Sequence, residues 1–154
     1  MTKGLKRKFL TMIRAAVEAK NYFTGGVKTI VPTWPLPAQT QVPSAFVYWL
    51  PSKLDYLTTH EKRAQHEFAI LGFVRAEADL ELIKADCADE IEEAIEDLLV
   101  DASFRAIGVQ VRMTAADPGP LALIDLGYRA GVYPPFGAVR MEGAVEYDYQ
   151  ARTT

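Results

Sequence analysis

The sequence predicts an α+β fold in which two main helices pack on one face of a mostly antiparallel sheet. Three features predict it: two long segments with helical periodicity, short β-branched and aromatic segments, and a strictly alternating segment near the end of the chain. Their order is helix, one to three strands, helix, and two or three further strands. With 154 residues, 49% of them hydrophobic, the chain is expected to form a single domain over residues 1–154.

The first helix is expected from about Lys3 to about Tyr22. Its apolar residues recur every three or four positions and therefore share one stripe. These residues are Leu5, Phe9, Met12, Ile13 and Ala16. Gly25 and Gly26 end the helical pattern, and the segment from Val27 to Val31 is expected to be a short strand.

A proline-rich segment follows at about residues 32–43 and contains four of the nine prolines. Proline fixes φ and has no backbone N–H, so this segment cannot be a central strand. We expect a loop or an extended arm, with Trp34 and Leu36 as possible anchors on a partner. The alternative is a loop that folds back over its own core.

The middle of the chain predicts two strands and a second helix. The segment from Ala45 to Leu50 is aromatic and β-branched, which favours a strand. Lys53 to Gln65 is polar and is expected to be a connection or the outer half of a hairpin. His66 to Ala76 is apolar on both faces, which indicates an inner strand. The second helix is expected from Asp79, as its N-cap, to about Ala102. Its stripe consists of Leu80, Ile83, Cys87, Ile91, Ala94, Ile95 and Leu98.

The last part of the chain predicts two or three strands. Val109 to Met113 alternates, Ala115 to Pro120 is expected to be a turn, and Leu121 to Leu126 a short strand. Pro134 and Pro135 introduce the final strand, from Val139 to Tyr149, whose odd positions are apolar and whose even positions are largely charged. Successive side chains point to opposite faces, so one face is expected to be buried and the other charged and open to a neighbouring subunit.

The net charge of −3 conceals a strong asymmetry along the chain. Residues 1–20 carry six basic groups and one acid, whereas residues 77–101 carry eleven acids and one base. Charge segregated in this way can steer association between copies or with partners. The alternative is two solvated helix faces that never meet.

The sequence offers little support for catalysis. It contains no Gly-rich phosphate loop, no G-x-S-x-G and no H-E-x-x-H. The single Cys87 cannot form an intrachain disulfide and fits a reducing compartment. His60 and His66, six positions apart, match no standard zinc spacing and are expected near strand ends. A small metal-dependent enzyme using these histidines and nearby acids remains an alternative, and the pI near 5.4 argues against a dedicated nucleic-acid binder.

Four features in this order resemble a known family. They are the helix from Leu5 to Tyr22, the proline-introduced strand from Val42 to Tyr48, the strand running into an acidic helix from Phe68 to Leu99, and the Pro-Pro-led strand from Pro134 to Tyr149 that ends in Tyr-x-Tyr. This layout resembles the tail terminator, or tail completion, proteins of long-tailed bacteriophages.

The resemblance implies a structural virion protein and not an enzyme, with no cofactor. It implies a homo-oligomeric ring, expected to be a hexamer, that caps the tail tube and joins it to the head connector. The implied partners are further copies of the chain, the tail tube protein and a head-to-tail connector or neck protein, with DNA only as passing cargo. The implied location is the tail or neck of the virion, after assembly in the host cytoplasm. Another neck component and a cytosolic adaptor that binds through the proline-rich loop are the alternatives.

A ring built from identical contacts needs two different, complementary patches on each subunit. The basic first helix and the acidic second helix are expected to supply them. The candidate interface residues are Lys6, Arg7, Lys8, Trp34, Leu36, Glu92, Glu93, Glu96, Arg140, Glu142 and Glu146.

Overall fold

A computed structural model describes residues 4–32, 36–37, 39–50, 53–56, 61–75, 78–102, 110–117 and 136–150. Two helices and six strands lie within these ranges. In chain order they are α1 (Leu5–Glu18), β1 (Val27–Lys28), β2 (Ser44–Trp49), β3 (Lys53–Tyr56), β4 (Glu61–Arg75), α2 (Leu80–Val100), β5 (Gln110–Asp117) and β6 (Phe136–Gln150).

The described strands form one sheet in the order β1-β2-β4-β6-β5, with β3 also paired to β4. Only the short β1–β2 pair among them is parallel. The sheet is built around β4 and β6, which pair along all fifteen residues of each strand, from Glu61 opposite Gln150 to Arg75 opposite Phe136. This architecture confirms the predicted α+β fold with a mostly antiparallel sheet.

Both helices bury their apolar stripes against the same face of the sheet. Phe9, Ile13 and Val17 of α1 are completely buried. The stripe of α2 is buried as predicted at Cys87, Ile91, Ala94, Ile95 and Leu98. The sheet contributes Ala45, Val47, Phe68, Ile70, Val74, Val139, Met141 and Val145 to the same cluster. The apolar stripes of the helices, which recur every 3.6 residues, and the apolar faces of the strands, which recur every 2 residues, thus pack together in one core.

The opposite face of the sheet corrects one prediction. It was expected to be charged, but it holds a second buried apolar cluster: Leu36, Phe46, Tyr48, Ala69, Leu71, Phe73, Phe136 and Ala138. The prediction failed because β6 begins at Phe136, three residues before the alternating segment. Its even positions are therefore apolar at Phe136 and Ala138, and charged only from Arg140 onward.

The described part of the proline-rich segment packs against its own chain. Leu36 is buried in the second cluster, and Val42 packs against that cluster. The Gly25 N–H donates to the Pro43 carbonyl at 2.8 Å, and a Cβ on Gly25 would overlap the carbonyl of Gln41. These contacts favour the loop that folds over its own core, whereas Trp34 lies outside the described residues.

Several boundaries differ from the predicted ones. Helix α1 ends at Glu18 because Asn21 adopts a left-handed backbone, with φ of 58°, ahead of the glycine pair. Asp79 occupies the N-cap position of α2, but its φ is 62° and its side chain makes no capping hydrogen bond.

The predicted turn at Ala115 is part of β5, since an irregularity between Met113 and Ala115 lets the strand continue beside β6 as far as Asp117. His66 is not near a strand end. It lies inside β4 and is 1% exposed. The predictions for His60, for Leu121 to Leu126 and for Pro134 and Pro135 fall outside the described residues.

Candidate interaction surfaces

The two helices contact each other through charge as well as through apolar packing. The ammonium of Lys20, just past the end of α1, lies 2.7 Å from Glu93 Oε1 and 2.6 Å from Asp97 Oδ2 of α2. The hydrogen bonds to Asp97 and Glu93 raise the pKa of Lys20 above the ordinary lysine value. The basic and acidic segments therefore do meet inside one chain, and they meet at Lys20.

The other basic side chains of α1 are placed differently. Lys6, Arg7 and Lys8 occupy the first turn of the helix and are all exposed. The helix has no acidic residue in that turn, and its N-cap Gly4 offers no side chain to cap it. The N-terminus of a helix carries a partial positive charge, so these three cations stand where cations are disfavoured.

The acidic side chains of α2 form two flanks on either side of the buried stripe. At about 100° per residue, Glu93 and Asp97 lie toward α1, and Glu92 and Glu96 lie on the side away from it. Glu92 and Glu96 are exposed. The last turn of α2 contains no basic residue. The partial negative charge at the C-terminal end of this helix is therefore not offset within that turn, and the carboxylate of Glu96 lies close to it.

Exposed apolar side chains continue the outer flank of α2 toward its C-terminus. Leu99 is 39% exposed and Val100 is 73% exposed. Two more exposed apolar residues, Ile30 and Val31, follow the short edge strand β1. Large apolar side chains exposed in small groups often mark contact sites.

Two charged residues of β6, Arg140 and Glu142, pair with each other. The guanidinium of Arg140 donates twice to Glu142 Oε1, from Nε at 2.9 Å and from Nη2 at 2.6 Å, and both residues are half-buried. The backbone of Glu146 lies in β6 between Gln65 of β4 and Gln110 of β5. Because Arg140 and Glu142 neutralise each other, they are weaker candidates for a contact than the charges on the helices.

Burial shifts the pKa values of three titratable groups in the described part of the chain. Burial raises the pKa of the Cys87 thiol to about 12, which keeps it protonated and unreactive at neutral pH. Burial also raises the pKa of Tyr22 to about 12. Burial, with a smaller effect from the nearby charge of Lys6, lowers the pKa of His66. Within the described ranges, no three His, Cys, Asp or Glu side chains are grouped so that they could hold a metal ion.

A shallow groove of about 300 Å³ runs between the two helices. Its apolar lining consists of Met12, Ala15 and Ala16 of α1, Ala19 just after the helix, and Leu98, and its acidic lining of Asp97 and Asp101. The groove separates the α1 side of the helical layer from the outer flank of α2.

No family model matches this chain, and no curated protein matches it. In the part of the chain that the structure describes, neither helix is long and apolar enough to cross a membrane. The fold class and the helix surfaces therefore carry the functional argument.

The structure brings together residues that the sequence analysis had not linked. Lys20 was counted only as one cation among six, and its two acidic partners lie 73 and 77 positions further along the chain. Leu99 and Val100 were not identified as surface residues, although a signal existed. At about 100° per residue both fall outside the stripe centred on Ile91.

Proposed function

We propose that this protein is a structural, ring-forming subunit, a tail terminator of a long-tailed phage that caps the tail tube and joins it to the head connector. The resemblance in element order supports this proposal. The mostly antiparallel sheet with two helices on one face agrees with it at the level of fold class.

The observation that carries the proposal is the separation of exposed basic and acidic side chains on the helical layer. Lys6, Arg7 and Lys8 lie at one end of α1, and Glu92 and Glu96 lie on the far flank of α2. α1 runs antiparallel to α2, since Lys20 meets Glu93 while Met12 lies nearer Asp101. The basic end is therefore about 20 Å along the helix axes from the acidic flank, well beyond the Debye length of about 8 Å at physiological salt.

Two opposite charges that cannot reach each other within a subunit suit a head-to-tail contact between subunits. Such a heterologous contact closes into a ring when the rotation between neighbours divides a full turn. Among the described strands, the edge strand β1 has only two residues, which limits pairing with another chain at that edge.

The first test is the mass of the purified protein in solution by light scattering, together with negative-stain images with and without tail tubes from the phage that encodes it. A closed ring with a mass near six times the 17.1-kDa chain, or a cap at one end of each tube, supports the proposal. A protein that stays monomeric and caps no tube refutes it.

A second preparation distinguishes a terminator from another neck component. The tagged protein is recovered from disrupted virions, and the attached proteins are identified. A terminator is recovered with the tail tube protein. Recovery with portal or connector proteins but without the tube protein would place the chain elsewhere in the neck.

A further inference from the structure

We propose that the outer flank of α2 in one copy is the docking surface for the basic first turn of α1 in a second copy. The outer flank is defined as Glu92, Glu96, Leu99 and Val100, and the basic turn as Lys6, Arg7 and Lys8. This inference deepens the proposed ring and rests on it, because it names the two surfaces that meet between neighbouring subunits.

The positions of the two surfaces favour contact between copies over contact within one copy. Lys20 meets Glu93 and Asp97 on the inner side of α2, so the inner acids already have a cation. Glu92 and Glu96 lie about 100–140° around the helix from Ile91, on the side away from α1. Arg7 lies about 120° from Ile13 on the side of α1 away from α2. Lys6 lies about 20° from Ile13, toward the sheet, and Lys8 about 140° from it on the groove side, so Arg7 is the residue of the basic turn at the edge of the helical layer opposite the outer flank.

Both surfaces carry charge at the unfavourable end of their helix. Three cations stand at the uncapped N-terminus of α1, and Glu96 stands within about a turn of the C-terminus of α2, which has no nearby base in its last turn. Glu92 and Glu96 also repel each other at a spacing of four residues. Contact between the two surfaces relieves both penalties together, which a single solvated helix cannot do.

Apolar area beside the charges gives the contact more than Coulomb attraction. Leu99 and Val100 extend the acidic flank, and Ile30 and Val31 are exposed just after β1. Exposed ion pairs alone contribute little to affinity, so a stable contact requires apolar burial next to them. A second copy of this chain offers exposed cations in the first turn of α1 and exposed apolar side chains after β1.

The test measures self-association by sedimentation velocity at about 50 mM and about 500 mM salt, and tube capping by negative stain. The variants are Glu92→Lys with Glu96→Lys on the flank, and Lys6→Glu with Arg7→Glu on the basic turn. Each pair is expected to raise the dissociation constant between subunits by roughly a hundredfold at low salt. Higher salt weakens association of the unmodified chain.

Mixing the two variants supplies the decisive measurement. In a 1:1 mixture the unmodified surfaces can pair with each other and the reversed surfaces can pair with each other, so association is expected to return. The single variant Glu96→Lys is also expected to weaken association, and the single variant Asp86→Lys is its matched control. It makes the same change in net charge at another exposed acid of α2, and association is expected to persist.

Loss of folding is distinguished from loss of contact by thermal unfolding. Reversal of Glu92 and Glu96 exchanges one like-charge pair for another and places cations near the C-terminus of α2, where they are favoured, so the monomer is expected to melt at an equal or higher temperature. Reversed chains that associate or cap tubes as well as the unmodified chain overturn this inference and leave the ring proposal standing. An unmodified chain that neither associates nor caps tubes overturns both.

Discussion

His66 illustrates how burial changes the behaviour of one residue. Its imidazole lies in the centre of β4, 1% exposed, with its ring 5.6 Å from the ring of Trp49. Burial and the charge of Lys6 lower its pKa below the ordinary value of 6.5. The neutral form is therefore favoured in the folded state, whereas the unfolded chain accepts a proton more readily.

The first prediction follows from this shift. As pH falls below about 6.5, the unfolded state binds a proton that the folded state refuses, so the free energy of unfolding decreases until pH reaches the lowered pKa. His66→Phe is expected to remove this part of the pH dependence in urea titrations between about pH 8 and about pH 5. The control Lys6→Met removes the nearby charge, so it is expected to raise the pKa of His66 toward the ordinary value. The pH range over which the free energy of unfolding changes is then narrower. An unchanged pH dependence in His66→Phe would contradict the assignment.

Lys20 is the residue that joins the two charged segments. The second prediction is that Lys20→Met lowers the melting temperature of the monomer at neutral pH and low salt. It leaves Glu93 and Asp97 to repel each other at a spacing of four residues. The raised pKa means that the stabilisation is present below the ordinary lysine value of 10.5 and is lost as pH rises through the folded-state value.

Salt provides the control for this prediction. Glu93 and Asp97 are each 61% exposed, so the difference between Lys20→Met and the unmodified chain is expected to shrink as salt rises. Arg14→Met removes an exposed i,i+4 pair with Glu18 and is expected to have a smaller effect. Equal effects of the two substitutions would show that the contact between the helices adds nothing beyond an ordinary surface pair.

At the scale of elements, the approach of α2 to the sheet depends on a missing side chain. A Cβ on Gly72 of β4 would lie 2.7 Å from Cys87 Sγ and 3.4 Å from Ile91 Cδ1 of α2. Contacts this short force neighbouring atoms to move. The small residue at position 72 thus sets how closely α2 packs on β4.

The third prediction is a double-mutant cycle between these elements. Gly72→Ala is expected to destabilise the fold by about 1–3 kcal/mol through overpacking, and Cys87→Ala by about 1 kcal/mol through lost packing. In the double variant the new methyl group occupies the space that the sulfur leaves. The free energy of unfolding that the double variant loses is therefore expected to be smaller, by about 1 kcal/mol, than the sum of the losses in the two single variants. Additive losses in urea unfolding would contradict this account of the contact.

At the scale of the whole molecule, the sheet is buried on both faces of β4. Ile70 lies in the cluster under the helices, and its neighbour Leu71 lies in the cluster on the opposite face. Both are 0% exposed. The second cluster therefore makes the described segment at Leu36 and Val42 part of the folded unit.

The fourth prediction compares these adjacent residues. Ile70→Ala and Leu71→Ala are each expected to cost about 2–5 kcal/mol, because each leaves a cavity in a buried cluster. If one face of the sheet were solvated, Leu71→Ala would lower the free energy of unfolding far less than Ile70→Ala would. Equilibrium urea unfolding of both variants at protein concentrations that keep the chain monomeric decides between the two cases.

The sequence by itself determined the elements whose signal is local. Helical periodicity located both helices and their buried stripes, and the apolar run from Phe68 to Val74 identified the inner strand. The segregation of charge between α1 and α2 was also visible, because it depends only on residue type. Boundaries were less accurate, since a left-handed backbone at Asn21 and an irregularity in β5 leave no periodic signal.

Only the tertiary structure decided which distant segments meet. It paired Lys20 with Glu93 and Asp97, placed Leu36 over the second face of the sheet, and buried His66 in the middle of β4. It also separated the outer acids of α2 from the basic turn of α1. Each of these depends on how elements far apart in the chain pack together, and periodicity along one segment holds no information about the segment that covers it.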